Sequence, residues 1–200
     1  MLARGSSVII IPVLALTASI GLAYYAFQTA ISRYIFWLSF AFLCFTIYFF
    51  RDPERRIKKI PGLLSPTDGT VVSVSKNRIS VFLSPFNVHI SRMPCDGKVL
   101  KISYQRGTFA PAFSKKSSEN EREAITLKTK SGNLKIERFA GILARRIVTW
   151  VSENDTLSQG QRFGMIRFGS RCDVTLPPRL KPKVSKGDKL KAGISVIAGA

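Results

Sequence analysis

Acidic residues are missing from the first quarter of this 200-residue chain. Residues 1–50 contain no Asp or Glu and only two basic residues, Arg4 and Arg33. Residues 51–200 hold 29 of the 31 Lys and Arg and all 12 acids, a net charge of +17. Histidine is nearly absent too: His89 stands alone, which argues against a zinc site, so no metal is expected. The three cysteines, Cys44, Cys95 and Cys172, form no C-x-x-C pair, and nothing asks for disulfides, which fits a reducing compartment. There is no G-x-G-x-x-G, no heptad pattern and no helical repeat, so nucleotide-binding folds have little support.

What is present begins with two apolar runs. No charge occurs from Gly5 to Ser32, and Tyr34–Phe50 follows Arg33 as seventeen apolar or small residues. A run of about 20 such residues can cross the hydrocarbon core as a helix. We read residues 1–50 as a membrane anchor of two transmembrane helices, about 7–29 and 34–50, forming a hairpin. A cleaved signal peptide fits less well, because the first run is long and lacks an A-x-A-like end; a buried core hairpin is the other alternative. Arg51, Arg55, Arg56, Lys58 and Lys59 crowd after the second run while the intervening loop is short. The positive-inside rule then puts both ends in the cytoplasm, with the basic region against the anionic inner leaflet of the cell membrane.

Residues 51–200 read as a small, mainly β domain of sandwich or barrel type. Leu64–Val74 is a Pro/Asp/Gly turn feeding an alternating β-branched run. Arg78–Leu83 and Gly97–Tyr104 read as strands, and Ala124–Lys128 and Leu134–Phe139 as a hairpin about Ser131-Gly132-Asn133. Phe113–Glu123 has no periodic apolar face and reads as a loop. The tail around Gly187-Asp188 echoes the turn and strand that start at Asp68-Gly69.

Near the C-terminus, Phe168-Gly169-Ser170-Arg171 is by itself ordinary turn chemistry. A Gly-Ser bond is also where a chain can cut itself, because serine becomes a nucleophile once a base takes its proton. Several segments together decide how it is read: Phe50-Arg51-Asp52-Pro53, Ser65-Pro66-Thr67-Asp68-Gly69, Asn87-Val88-His89-Ile90-Ser91-Arg92-Met93-Pro94, Glu119-Asn120-Glu121-Arg122, Ala144-Arg145-Arg146-Ile147 and Gly160–Arg171. In this order they resemble the short form of the pyruvoyl-dependent phosphatidylserine decarboxylases, a family that includes archaetidylserine decarboxylase-like members.

The resemblance implies a proenzyme cut between Gly169 and Ser170 into a large β chain, 1–169, and a small α chain, 170–200. The Ser170 hydroxyl would attack the Gly169 carbonyl to give an ester. Elimination then frees the Gly169 carboxylate and leaves a dehydroalanine, which hydrates and loses ammonia to become a pyruvoyl group. That group, derived from Ser170, is the implied cofactor. It would form a Schiff base with a serine phospholipid and accept electrons as carbon dioxide leaves. The implied product is phosphatidylethanolamine, or its counterpart from an archaeal ether lipid; the implied partners are that lipid, the two chains of one precursor and a second copy in a homodimer.

By the same resemblance, Asp68 and His89 are the acid and base that activate Ser170, the carboxylate orienting the imidazole. Each has a plainer reading: Asp68 as the Asx residue of a turn before Gly69, His89 as a hydrogen-bonded structural residue. Longer members carry a second histidine three positions on, where this chain has Arg92. Arg92, Arg145 and Arg146 could hold the lipid phosphate or carboxylate, or be plain basic surface. Cys172 is assigned to packing. Two other functions compete. A non-enzymatic membrane-anchored β-barrel adaptor is suggested by the similar turns at Asp68 and Asp188, yet no lysine has a lipoyl-type setting. A nucleic-acid binder is suggested by charge alone, and no nucleic-acid motif accompanies it.

Overall fold

In the computed structural model the described residues are 1–107, 121–140, 147–166 and 170–199, with Ser170 described by its backbone. They form two compact units, Met1–Glu54 and Arg55–Ala200.

The first unit is a helical hairpin of α1 (Ser7–Phe27) and α2 (Ala30–Phe49). Gln28 ends α1 in the left-handed region at φ 48°, and Thr29 caps α2 by accepting the Ser32 N–H at 3.1 Å. The antiparallel fit is tight where side chains are small. A Cβ on Gly21 would lie 3.2 Å from the Phe36 ring, which also stacks on Tyr24. Both helices are long and apolar enough to cross a membrane. The N-terminal residues run beside the exit of α2, where Met1 O accepts from Asp52 N–H and Phe50 O from Ala3 N–H.

The second unit is antiparallel β structure, its strands numbered here in chain order. An eight-stranded sheet runs β13 (Lys189–Leu190), β2 (Gly69–Val74), β3 (Arg78–Leu83), β11 (Ser170–Thr175), β7 (Gly132–Ala140), β6 (Arg122–Thr129), β5 (Gly97–Gln105), β9 (Thr156–Leu157). A second sheet has the order β4 (Ile90–Arg92), β10 (Arg162–Ile166), β8 (Ile147–Thr149), and a third β1 (Leu63–Leu64), β14 (Val196–Gly199), β12 (Lys181–Pro182). Alternation builds the core: Ile79, Val81 and Leu83 of β3, Leu134 and Ile136 of β7, and Cys172 and Val174 of β11 are all buried in one cluster. The expected strand at Arg78–Leu83 and the hairpin about Gly132 are present, the hairpin longer by several residues. Of the stretch 113–123 expected as a loop, 113–120 lies outside the described residues. Its last two, Arg122 and Glu123, instead begin β6, because they pair across to Phe139 and Arg138.

One buried polar group ties the first two sheets together. Arg138 projects from β7 into the interior, fully buried over the Phe163 ring of β10. Its guanidinium bonds Glu123 of β6 and reaches the Val148 carbonyl of β8, and Thr149 donates to the same carboxylate. The facing residue of β10 has to be glycine, since a Cβ on Gly164 would sit 2.5 Å from Arg138 Nη1 and 2.4 Å from Val148 O.

Candidate functional site

Ser170 opens β11, paired on one side with Leu83 of β3 and on the other with Ala140 of β7. Thr70 of β2 pairs with Phe82, so Gly69 lies level with Leu83 one strand further out. Ala140 N–H in turn donates to Glu121 O at 2.8 Å. Asp68, Gly69, Leu83, Ser170, Ala140 and Glu121 therefore sit at one end of the large sheet. Gly69 is two strand spacings from Ser170, roughly 10 Å along the backbone row, and Asp68 is one residue beyond it. Gly69 makes this crowding possible: its φ is +147°, and a Cβ there would lie 2.2 Å from Phe82 O.

His89 reaches the same end from the small sheet. Its carbonyl accepts the Ile166 N–H at 3.1 Å, just beyond the Met165–Ile90 pair of β10 and β4. From Ile166 to Ser170 the chain takes four steps, which can span at most about 14 Å. A second route is somewhat longer: Leu83, the strand partner of Ser170, precedes His89 by six residues. Two sheets thus deliver an imidazole and a serine backbone to one region, and His89 is buried there.

The hydrogen bonds of Asp68 and His89 run to different partners. Asp68 receives a two-pronged bond from Arg55, Nη1 to Oδ1 at 2.7 Å and Nη2 to Oδ2 at 2.9 Å, and Oδ1 also accepts the Ala192 N–H at 2.7 Å. Arg55 Nη1 donates as well to Ala192 O. Both side chains are about nine-tenths buried, so this pair is sheltered from screening. The imidazole Nδ1 of His89 lies 2.9 Å from the Asn87 carbonyl. Arg92 is buried, giving Nη1 to Gly160 O at 3.2 Å and its backbone N–H to Pro66 O at 2.8 Å, next to the Asp68 turn. Gly169, Arg145 and Arg146 lie outside the described residues. Cys172 is buried two positions beyond Ser170. Burial, with the Asp173 charge adding to it, pushes its thiol up to about 12, so it remains protonated and non-nucleophilic near neutrality.

Residues 42–198 match the family model of phosphatidylserine decarboxylase. The chain belongs to that family. A Methanosarcina barkeri protein named as an archaetidylserine decarboxylase proenzyme is 38% identical over 199 residues, 99% of this chain and 98% of the relative. A Desulfotalea psychrophila phosphatidylserine decarboxylase proenzyme is 41% identical over 201 residues, 94% and 92% of the two chains. One from Methanosarcina mazei, with the archaetidylserine name, reaches 46% over 153 residues, 76% and 74%.

As a phosphatidylserine decarboxylase family enzyme, the chain falls among proteins made as proenzymes that act on phospholipids with a pyruvoyl group derived from serine. A group of that kind suits the start of β11. A new chain end there would still be gripped on both sides by β3 and β7. Arg55 and Asn87, the partners of Asp68 and His89, carry no distinguishing signal for the site in the sequence, and neither does the Arg138–Glu123 pair that ties the two sheets. Arg55 was visible only as one of several basic residues after the apolar runs, and Asn87 only as a neighbour of the histidine. Arg138 carried no local signal, because a buried charge in a strand announces itself only through its partner on another strand.

Proposed function

We propose that this chain is a self-processing, membrane-held decarboxylase of serine phospholipids, phosphatidylserine or its archaeal ether analogue, and that Ser170 is its pyruvoyl precursor. Residues 1–50 are the anchor and 51–200 the working domain, on the cytoplasmic side by the charge asymmetry that flanks the helices. Cleavage between Gly169 and Ser170 yields fragments 1–169 and 170–200. The observation that supports this reading is that Ser170 starts a doubly paired strand, while the buried His89 bonds through its carbonyl to Ile166, the last residue of β10, four residues before Ser170.

In the precursor, His89 takes the Ser170 hydroxyl proton and the oxygen attacks the Gly169 carbonyl, exchanging an amide for an ester. Asp68 is the carboxylate whose charge favours the imidazolium that results, with Arg55 balancing that charge at rest. Arg145 and Arg146 supply guanidinium groups for the lipid phosphate, while Arg92 keeps its guanidinium on the Gly160 carbonyl and its backbone N–H on Pro66 O beside the Asp68 turn. The pyruvoyl group, once formed, supplies an electron sink for loss of carbon dioxide. The protein's own part is to seat the lipid headgroup, keep water out and carry protons through His89. The two apolar helices bring the enzyme to its substrate in the bilayer.

Intact-mass measurement of the full chain in detergent tests this directly. Wild-type protein should resolve into two fragments, the smaller lacking a free α-amino group, and Ser170→Ala should give one full-length species. A full-length wild-type mass with Ser170 unmodified would falsify the reading.

A further inference from the structure

An imidazole has two nitrogens, and the one that carries the proton in its neutral form is chosen by what the ring faces. His89 Nδ1 faces the Asn87 carbonyl at 2.9 Å. A carbonyl can only accept, so Nδ1 donates and Nε2 is the nitrogen able to take a proton. An imidazole in water prefers the opposite arrangement, with its proton on Nε2. The Asn87 carbonyl therefore sets the state of the base, and it is itself held in place. Asn87 N–H donates to Ser84 O at 3.0 Å, while its side-chain Oδ1 accepts from Ser84 N–H at 2.8 Å and Ser84 Oγ–H at 2.9 Å. Pro85, between them, has its φ locked by its ring. Leu83, just before Ser84, is the backbone partner of Ser170. One short turn thus runs from the strand beside the nucleophile to the atom that orients the base.

Resting on the roles proposed above for Ser170 and His89, we infer that Asn87 is a positioning residue of the reaction, setting the Nδ1–H tautomer of His89 through a turn stapled to Ser84. This is the orienting task that a carboxylate performs in a Ser-His-Asp triad. Here a backbone carbonyl performs it, and both Asp68 oxygens are engaged elsewhere. Removing the Asn87 side chain unstaples the turn. A misplacement of about 1 Å at such a site costs on the order of 100-fold in rate.

His89 is the sole histidine, so a ¹⁵N-histidine spectrum of the full chain in detergent, purified without a histidine tag, reads one ring. In the uncleavable Ser170→Ala chain the neutral ring should show Nδ1–H. Asn87→Ala in that background should shift it toward Nε2–H, and Asn87→Asp, which keeps the acceptor for Ser84, should retain Nδ1–H. In chains with Ser170 intact, Asn87→Ala should slow self-cleavage by roughly 10- to 100-fold, with Asn87→Asp much closer to wild type. An Nε2–H ring in the Ser170→Ala chain overturns the inference, and decides it even if Asn87→Ala does not fold. So does an Asn87→Ala chain with wild-type tautomer and rate. If instead wild-type protein is never cut, or His89→Gln cuts at the wild-type rate, the proposed function fails and takes this inference with it. Cleavage lost in His89→Gln but untouched in Asn87→Ala sinks the inference alone.

Discussion

The two units put apolar side chains to opposite uses. On the helix pair they face outward: Leu22 is 72% exposed, Leu38 74% and Trp37 57%. In the β unit Ile79, Val81, Leu83 and Ile136 are completely buried. The same chemistry gives both results because the helices satisfy their backbone hydrogen bonds internally and can present hydrocarbon to hydrocarbon, whereas the sheets must hide theirs from water. Charge follows the reverse pattern. The helices carry only Arg33 between Ser7 and Phe49, while the β unit holds a buried Arg138–Glu123 pair and a buried Arg55–Asp68 pair. A buried charge is tolerable where a partner meets it, and the β unit provides partners through strand register.

Substitutions that move charge and apolar surface the wrong way sharpen this contrast. The largest stability effect is expected at Arg138. Arg138→Met leaves Glu123 buried without its cation and should cost about 3–5 kcal/mol, read as a lower urea midpoint. The double change Arg138→Met/Glu123→Leu should recover most of that loss; equal destabilisation by both would show that packing, not the stranded charge, decides the outcome. Next comes Leu38→Arg, on the exposed face near the middle of α2. It would be harmless on a water-facing helix, but in a bilayer it costs roughly 2.5–3.5 kcal/mol, so the protein should shift from the carbonate-resistant membrane fraction to the supernatant. Unchanged fractionation would break the comparison.

The smallest effect concerns pH. Burial holds the Cys172 thiol near 12 against an ordinary value of 9.0. Between those values the unfolded thiol has lost its proton and the folded one has kept it. Stability should therefore fall as pH rises from about 9, and alkylation of Cys172 in folded protein should stay negligible at pH 8. Rapid alkylation at pH 8 would mean that the start of β11 opens far more readily than its pairing suggests.

Much of the molecule was legible beforehand. The uncharged runs told of two helices, since length and the lack of charge are one-dimensional properties. Arg78–Leu83 read as a strand because alternation is local. Motif order pointed to the family, which the match over residues 42–198 shows. The extension of β6 back to Arg122 was hidden, because Arg122 and Glu123 look like loop residues until Phe139 and Arg138 lie opposite. The alternative reading of Arg92 as plain basic surface fails, since the residue is buried with its guanidinium on the Gly160 carbonyl.

By itself the sequence determined which stretches are apolar enough for a bilayer, which alternate as strands, and which serine, histidine and aspartate are available for the chemistry. Only the tertiary structure decided their partners: Arg55 on Asp68, the Asn87 carbonyl on His89, Leu83 and Ala140 on either side of Ser170. Composition and periodicity act on neighbours in the chain, but a hydrogen bond is chosen by distance in space, and register between strands far apart in sequence sets that distance.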